Sequence, residues 1–398
     1  MEYRDYQLEI INKASRTIAE HKFVYLAMEV RTGKTLTALG IAEQQNCKRV
    51  LFLTKKKAIR SIEKDYEMLN PLYNLLVINY ESIHKIPDVK WDMLIVDEAH
   101  SLGAFPKPNK RAKQVRDIIK VNRCLVCLMS GTPTPESYSQ MYHQVFGIPT
   151  NPFKEHKTFY KFANQYVDKR QKKINSMYIN DYTRGYETII DKMNPFTYRF
   201  SQSDAGFKVD TKEHILNVEM DEVTYYLCRK LKRNRVVEGD EEVILADTPV
   251  KLMMKLHQLY SGTIKFESGK GMVIDTSKAQ FIYKKFAGKK IAIFYKFKQE
   301  LKAIKEVYGD DICTELSLFK ETNKSIALQI VSGREGISLK EADALVYYNI
   351  DFSATSYWQS RDRMTTIDRL ESDVYWVFAK DGIENEIYKA VCKKKDYT

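Results

Sequence analysis

Two short segments carry residue types whose spacing suits phosphate chemistry. Met28-Glu29-Val30-Arg31-Thr32-Gly33-Lys34-Thr35 ends in Gly-Lys-Thr, and Leu94-Ile95-Val96-Asp97-Glu98-Ala99-His100 carries two adjacent carboxylates. The first follows an apolar run, Phe23-Val24-Tyr25-Leu26-Ala27, and precedes a helical pattern. Strand, Gly-Lys-Thr loop and helix in that order make an anion site. Backbone N–H groups at the helix start point at a phosphate, and a lysine adds a point charge over the outer phosphates. The second segment puts Asp97 and Glu98 at a strand end, where phosphoryl transfer needs Mg²⁺ and an attacking water held. Either motif alone occurs by chance. Together, in this order and about sixty residues apart, they predict an NTPase.

Strands and helices must hold these groups, and the chain supplies them in two blocks. The first, from about 20 to 150, has apolar runs at Phe23–Ala27, Arg49–Thr54, Leu75–Asn79, Met93–Val96 and Cys124–Met129. The second, from about 277, has them at Ile291–Tyr295, Ser325–Val331, Ala344–Asn349 and Val374–Phe378. Apolar strands alternating with helical stretches predict an α/β protein with a parallel sheet in each block. The stretch between, rich in Tyr, Lys and Arg, reads as mainly helical. The expected organisation is residues 1–150, then a helical insertion over 151–276, then 277–398.

At 398 residues the chain has room for two or three cores. Its 44% apolar and 29% charged content is that of a folded globular protein. No apolar stretch has the length of a membrane span and the N-terminus is no signal peptide, so no membrane partner and a cytoplasmic location are expected. A net charge of +12 favours a polyanion, nucleic acid first and anionic membrane second. The six cysteines are scattered and read as reduced thiols. Cys124 and Cys127 have zinc-knuckle spacing, but they lie in an apolar run that reads as a buried strand, with no second pair at a matching distance.

The motifs, in order along nearly the whole chain, make it resemble a superfamily 2 helicase-type ATPase of the Swi/Snf-like, DEAH-box translocase branch, in a compact phage-like form. The resemblance implies two RecA-like lobes, with ATP and Mg²⁺ as cofactors. Tyr3-Arg4-Asp5-Tyr6-Gln7 resembles the family's start, implying that Gln7 reads adenine. Arg31, Thr32, Gly33, Lys34 and Thr35 match the phosphate loop, with Thr35 and Asp97 on Mg²⁺. Leu51-Phe52-Leu53-Thr54-Lys55 resembles a strand end that touches nucleic-acid phosphates through Lys55, and Asn79-Tyr80-Glu81 the motif after it. His100, with Ser130 and Thr132 of Ser130-Gly131-Thr132-Pro133, matches the elements coupling hydrolysis to lobe movement. Val331–Leu339 is similar to the Gly-rich loop facing ATP through Gly336 and the strand through Gly333. Gln359 and Arg363 match the arginine-finger motif.

Two positions depart from the family. Arg31 stands where the first loop glycine is usual, and Thr366 where a second finger arginine is usual, so Arg361 and Arg369 stay open as alternatives to Arg363. The resemblance implies that Lys34 cradles the β and γ phosphates, Glu98 orients and deprotonates water, and Gln359 and Arg363 complete the site from the second lobe.

Two basic stretches are candidate nucleic-acid contacts. Tyr166–Tyr186 mixes Lys172, Lys173 and three further cations with tyrosines, the composition of a strand contact, and equally that of a tyrosine-rich packing surface. Arg233 sits in Arg229–Arg235, which reads equally as a solvated helix face. The expected function is ATP-driven movement along DNA (duplex, forked or single-stranded), with a replication or recombination protein as partner. The alternatives are a nucleic-acid-dependent clamp without unwinding, and RNA as the track.

Overall fold

The computed structural model describes residues 2–174, 177–206, 210–239, 241–330, 339–352 and 371–393. Contacts divide the chain into two units, one running to Gly206 and the other from there to Lys393.

The first unit is built on a six-stranded sheet of β1 (Phe23–Met28), β2 (Arg49–Thr54), β3 (Asn74–Asn79), β4 (Met93–Val96), β5 (Leu125–Met129) and β8 (Thr197–Phe200), in the order β3-β2-β4-β5-β1-β8. Every pairing is parallel. Parallel strands covered on both faces read as continuous apolar runs, and Met93 to Val96 are all fully buried. The covering helices include α1 (Asp5–His21), α2 (Lys34–Gln44), α3 (Ile59–Leu69), α4 (Lys110–Asn122), α5 (Met141–Val145), α6 (Phe159–Tyr166) and α7 (Thr188–Met193). A separate antiparallel hairpin, β6 (Arg170–Ile174) with β7 (Met177–Asp181), follows α6.

The second unit repeats the plan. Its sheet runs β15 (Ile312–Cys313), β16 (Ser325–Gln329), β14 (Ile291–Tyr295), β17 (Ala344–Tyr347), β18 (Glu371–Ala379), β9 (Asp210–Val218), again all parallel. Helices α8 (Glu222–Asn234), α9 (Pro249–Tyr260), α10 (Ser277–Lys285), α11 (Lys298–Tyr308), α12 (Leu316–Glu321) and α13 (Glu384–Lys393) belong to this unit. Two short hairpins complete it, β10 (Val236–Glu238) with β11 (Val243–Leu245), and β12 (Thr263–Lys265) with β13 (Gly271–Val273). Among the described residues no helix is long and apolar enough to cross a membrane.

Residues 151–276 differ from the sequence reading. Among the described residues they hold four helices, but also the strands β6 to β13. They do not form a body of their own: β8 extends the first sheet beside β1, and β9 extends the second beside β18. The division falls after Gly206 rather than at 150 and 276. The reason lies in pairing, because these strands are short or half-exposed and acquire their state from partners far away in the chain. Tyr198 pairs with Leu26, and Ile215 with Trp376.

Candidate active site

The first sheet's strand order brings four functional loops to one edge. β5 lies between β4 and β1, so the exits of β4 (Asp97, Glu98), β5 (Ser130) and β1 (Glu29 to Gly33) sit side by side, with the exit of β2 (Lys55) next along. Ligands of open parallel sheets bind at this carboxyl edge.

The loop after β1 is shaped for close approach. Gly33 caps α2 at φ 81°, a conformation that favours glycine, and a Cβ there would displace the Gln7 amide, whose Nε2 would lie 2.3 Å away. Arg31 adopts φ 64°, the conformation a glycine takes freely, at a backbone cost of about 1 kcal/mol. Thr32 Oγ1 donates to Glu29 O (2.8 Å) and Tyr6 OH to Thr32 O (3.0 Å), which fix the loop before the helix begins. Buried Gln7 accepts from Arg4 N (2.9 Å) and donates to Gly33 O (3.3 Å), leaving one amide hydrogen and one lone pair for a ligand. The first N–H in α2 to find a helical carbonyl is that of Thr37, on Gly33 O. The N–H groups of Lys34 and Thr35 precede it, in the turn where a helix has no intrahelical acceptors. Lys34 Nζ folds back on Glu29 O at 3.0 Å.

The carboxylates have different surroundings. Asp97 Oδ2 accepts from Thr54 Oγ1 (2.8 Å) and Oδ1 from the Glu98 N–H (3.0 Å), while buried Tyr80 donates its hydroxyl to the Asp97 carbonyl. Burial first, and the Glu98 charge second, push the Asp97 carboxyl up to about 6, against the pull of Thr54, Lys34 and Lys55. Glu98 turns out of the strand at φ 51° and places Oε2 3.2 Å from His100 Nδ1. The same nitrogen lies 2.9 Å from Ser130 Oγ, which accepts the Thr132 N–H at 3.1 Å. Glu98, His100, Ser130 and Thr132 thus form one polar line from the carboxylates into the β5 exit.

A half-buried pair of adjacent carboxylates, one of them held up by burial and by its neighbour's charge, fits a divalent cation, and Thr35 at the start of α2 is a suitable hydroxyl partner for it. With the glycine-tight loop, these residues fit a nucleotide phosphate and a divalent cation.

Three residues of this constellation were not predicted as site residues. Thr54 stands in the sequence only as part of a strand motif, and a polar residue at the end of an apolar strand is the available signal. Tyr25 donates to Gln144 Oε1 (2.8 Å), and Gln144 Nε2 donates to Pro133 O (2.8 Å), pinning the loop that starts at Ser130. Nothing local in the sequence announces that clasp.

The remaining candidates are dispersed. Lys55 is half-exposed, and its charge bears on Asp97. Lys172 and Lys173 are on β6, paired with Ile179 and Tyr178 of β7. Arg233 is exposed in the last turn of α8, in the second unit, with Nε on Asn234 Oδ1 (3.0 Å). Gly333, Gly336, Gln359 and Arg363 lie outside the described residues. Cys124 is buried just ahead of β5 and Cys127 fully buried within it.

The model of the SNF2-related domain matches residues 25–262. No curated protein matches the chain. Among solved structures, the SWI2/SNF2 ATPase core of Sulfolobus solfataricus in complex with dsDNA is similar at 15% identity and a TM-score of 0.43, over 100% of this chain and 92% of that one. The core domain of the same organism's SWI2/SNF2 ATPase is similar at 14% identity and a TM-score of 0.43, over 99% of this chain and 89% of that one. The domain match spans more than half of the sequence, and the protein therefore belongs to the SNF2-related family, the Swi/Snf-like ATPases of superfamily 2.

Proposed function

We propose that the chain hydrolyses ATP to move along or remodel DNA. The observation that carries this reading is the convergence, on one sheet edge, of a glycine-tight phosphate loop, an Asp97–Glu98 pair and a His100–Ser130 line leading away from it. Gln7 offers its remaining amide hydrogen and lone pair to the adenine edge. Lys34 exchanges the Glu29 carbonyl for the β and γ phosphates, and the α2 N–H groups donate to the phosphate oxygens. Thr35 and Asp97 would hold Mg²⁺, which would neutralise charge building on the phosphates. Glu98 takes a proton from water as its oxygen attacks the γ-phosphorus and the bond to ADP breaks. The Glu98 carboxylate is aimed by His100, so its new proton is felt at Ser130 and Thr132. The net charge of +12 favours a nucleic-acid track, with DNA preferred over RNA on family grounds. A replication or recombination protein is the proposed partner.

The test is steady-state ATP hydrolysis with no nucleic acid, single-stranded, duplex and forked DNA, and RNA, followed by triplex displacement. Stimulation by duplex or forked DNA with ATP-dependent displacement is expected. Stimulation without displacement makes the protein a clamp, and indifference to every nucleic acid overturns the reading.

A further inference from the structure

The hairpin of β6 and β7 is an arm with a fixed root. Two antiparallel strands without a third are marginal by themselves, so its stability comes from the base. There, Asp168 N donates to Arg184 O (2.9 Å), Tyr186 N to Tyr166 O (2.8 Å), and Val167 bridges Gly185. Tyr182 is buried with its ring edge-on to Phe159, at 5.5 Å between centroids.

The root is tied to the segment that begins at Ser130. Buried Ser139 Oγ donates to Tyr182 O at 2.7 Å, and a Cβ on Gly185 would lie 2.7 Å from Ser139 N. Ser139 sits in a turn closed by Ser137 and Gln140: Ser137 Oγ accepts from Ser139 N (3.0 Å), and Gln140 Oε1 from Glu136 N (3.0 Å). Gln144 then reaches from the Gln140 carbonyl (3.2 Å) to the Pro133 carbonyl (2.8 Å). A run of buried and part-buried hydrogen bonds thus links the arm's root to the loop on which His100 rests.

Beyond the root the arm is exposed. Tyr178 is 67% and Ile179 48% accessible, and Lys169, Arg170 and Arg184 are exposed, with Asp168 meeting Arg170 at 3.0 Å and Arg184 at 3.9 Å and Asp181 opposite Arg170 on β7. Between Tyr166 and Tyr186 the sequence carries five cations against two carboxylates. Cations spaced along a ribbon with an aromatic face fit a nucleic-acid backbone and its bases.

We infer that the arm is a nucleic-acid contact of the first lobe, formed by Lys169, Arg170, Tyr178 and Arg184, and that Ser139 is the positioning residue through which its engagement reaches the catalytic carboxylates. This deepens the translocase reading and rests on it. Bound DNA holds the arm, the Tyr182 carbonyl holds Ser139, and the loop from Ser130 to Pro133 is held with it.

The experiment compares wild type, Arg170→Glu/Tyr178→Ala, Ser139→Ala and Gly185→Ala, all checked by thermal melting. It reads duplex-DNA affinity against salt and the ratio of DNA-stimulated to unstimulated ATPase. The arm variant is expected to bind DNA about tenfold more weakly, with its salt slope reduced by about one. Ser139→Ala and Gly185→Ala are expected to keep DNA affinity and the KM for ATP within about twofold while the stimulation ratio falls at least about fivefold. A merely structural role would lower affinity, melting and rate together. Wild-type ATPase indifferent to DNA overturns the translocase reading and this inference with it. A stimulated wild type with an arm variant that binds normally, or root variants stimulated normally, overturns this inference alone.

Discussion

At the edge of the first sheet, Asp97 and Glu98 are adjacent, half-buried carboxylates whose pairing leaves a negative site that a cation would complete. The second lobe buries the ionisable groups His257, Lys278, Glu300 and Glu384 and gives each a polar partner. Asn349, fully buried after β17, places Oδ1 2.5 Å from His257 Nε2, and the same oxygen accepts the Ile350 N–H at 2.8 Å. That oxygen is an acceptor, so His257 carries its proton on Nε2. The Asn349 amide donates to Glu300 Oε1 (2.6 Å), and Glu300 Oε2 caps α11 through Lys296 N and Phe297 N. Lys278 and Glu384, both with no exposed side-chain surface, pair at 2.7 Å and join α10 to α13. Two sheets of one plan thus use burial in opposite ways. Where polar groups answer each other, burial specifies structure; where they are left in excess charge, it prepares a binding site.

The largest effect should come from emptying the first lobe of its cation. Lys34→Ala is expected to lower ATP turnover at least about 10²-fold, with thermal stability unchanged, by steady-state kinetics and melting. Breaking the other side of the comparison is structural. Asn349→Ala strands His257 and Glu300 and should destabilise the second lobe by about 3 kcal/mol in denaturant unfolding, while nucleotide binding by the first lobe persists.

A smaller effect is the pH dependence of that network. Burial first, and the Lys296 charge second, lower the His257 pKa to about 3. Above about 6.5 the ring is neutral both folded and unfolded. As pH falls below that value the unfolded chain takes up a proton the folded one refuses, so stability drops by up to about 1.4 kcal/mol per unit until about 3. The Glu300 carboxyl, raised by burial, titrates in the opposite sense. The measurement is therefore the difference between wild type and His257→Gln unfolding at pH 7 and 5.5, with the wild type losing more. The smallest effect is expected at Arg31. Its backbone already holds a glycine's conformation, so Arg31→Gly should change nucleotide affinity by less than about threefold, read by titration.

The parts of this plan legible in the sequence are those whose causes are local. β1, β4, β14 and β17 are continuous apolar runs because both faces are covered, and the phosphate loop and carboxylate pair are contiguous motifs. The rest depends on partners far along the chain. β8, Thr197-Tyr198-Arg199-Phe200, is a strand because β1 lies beside it, and β9 because β18 does. The Thr54 hydroxyl matters through Asp97, and Ser139 through Tyr182, each separated by 43 residues. Periodicity reports burial; it does not report which polar group answers another.

The most direct measurement is ATP binding and turnover side by side in Glu98→Gln. The amide keeps the size of the carboxylate and its place beside His100 but cannot take a proton from water. Nucleotide affinity close to wild type, with turnover reduced by about 10²- to 10⁴-fold, is the predicted result. Turnover at the wild-type rate would contradict the assignment of Glu98 and with it the chemistry placed on this sheet edge.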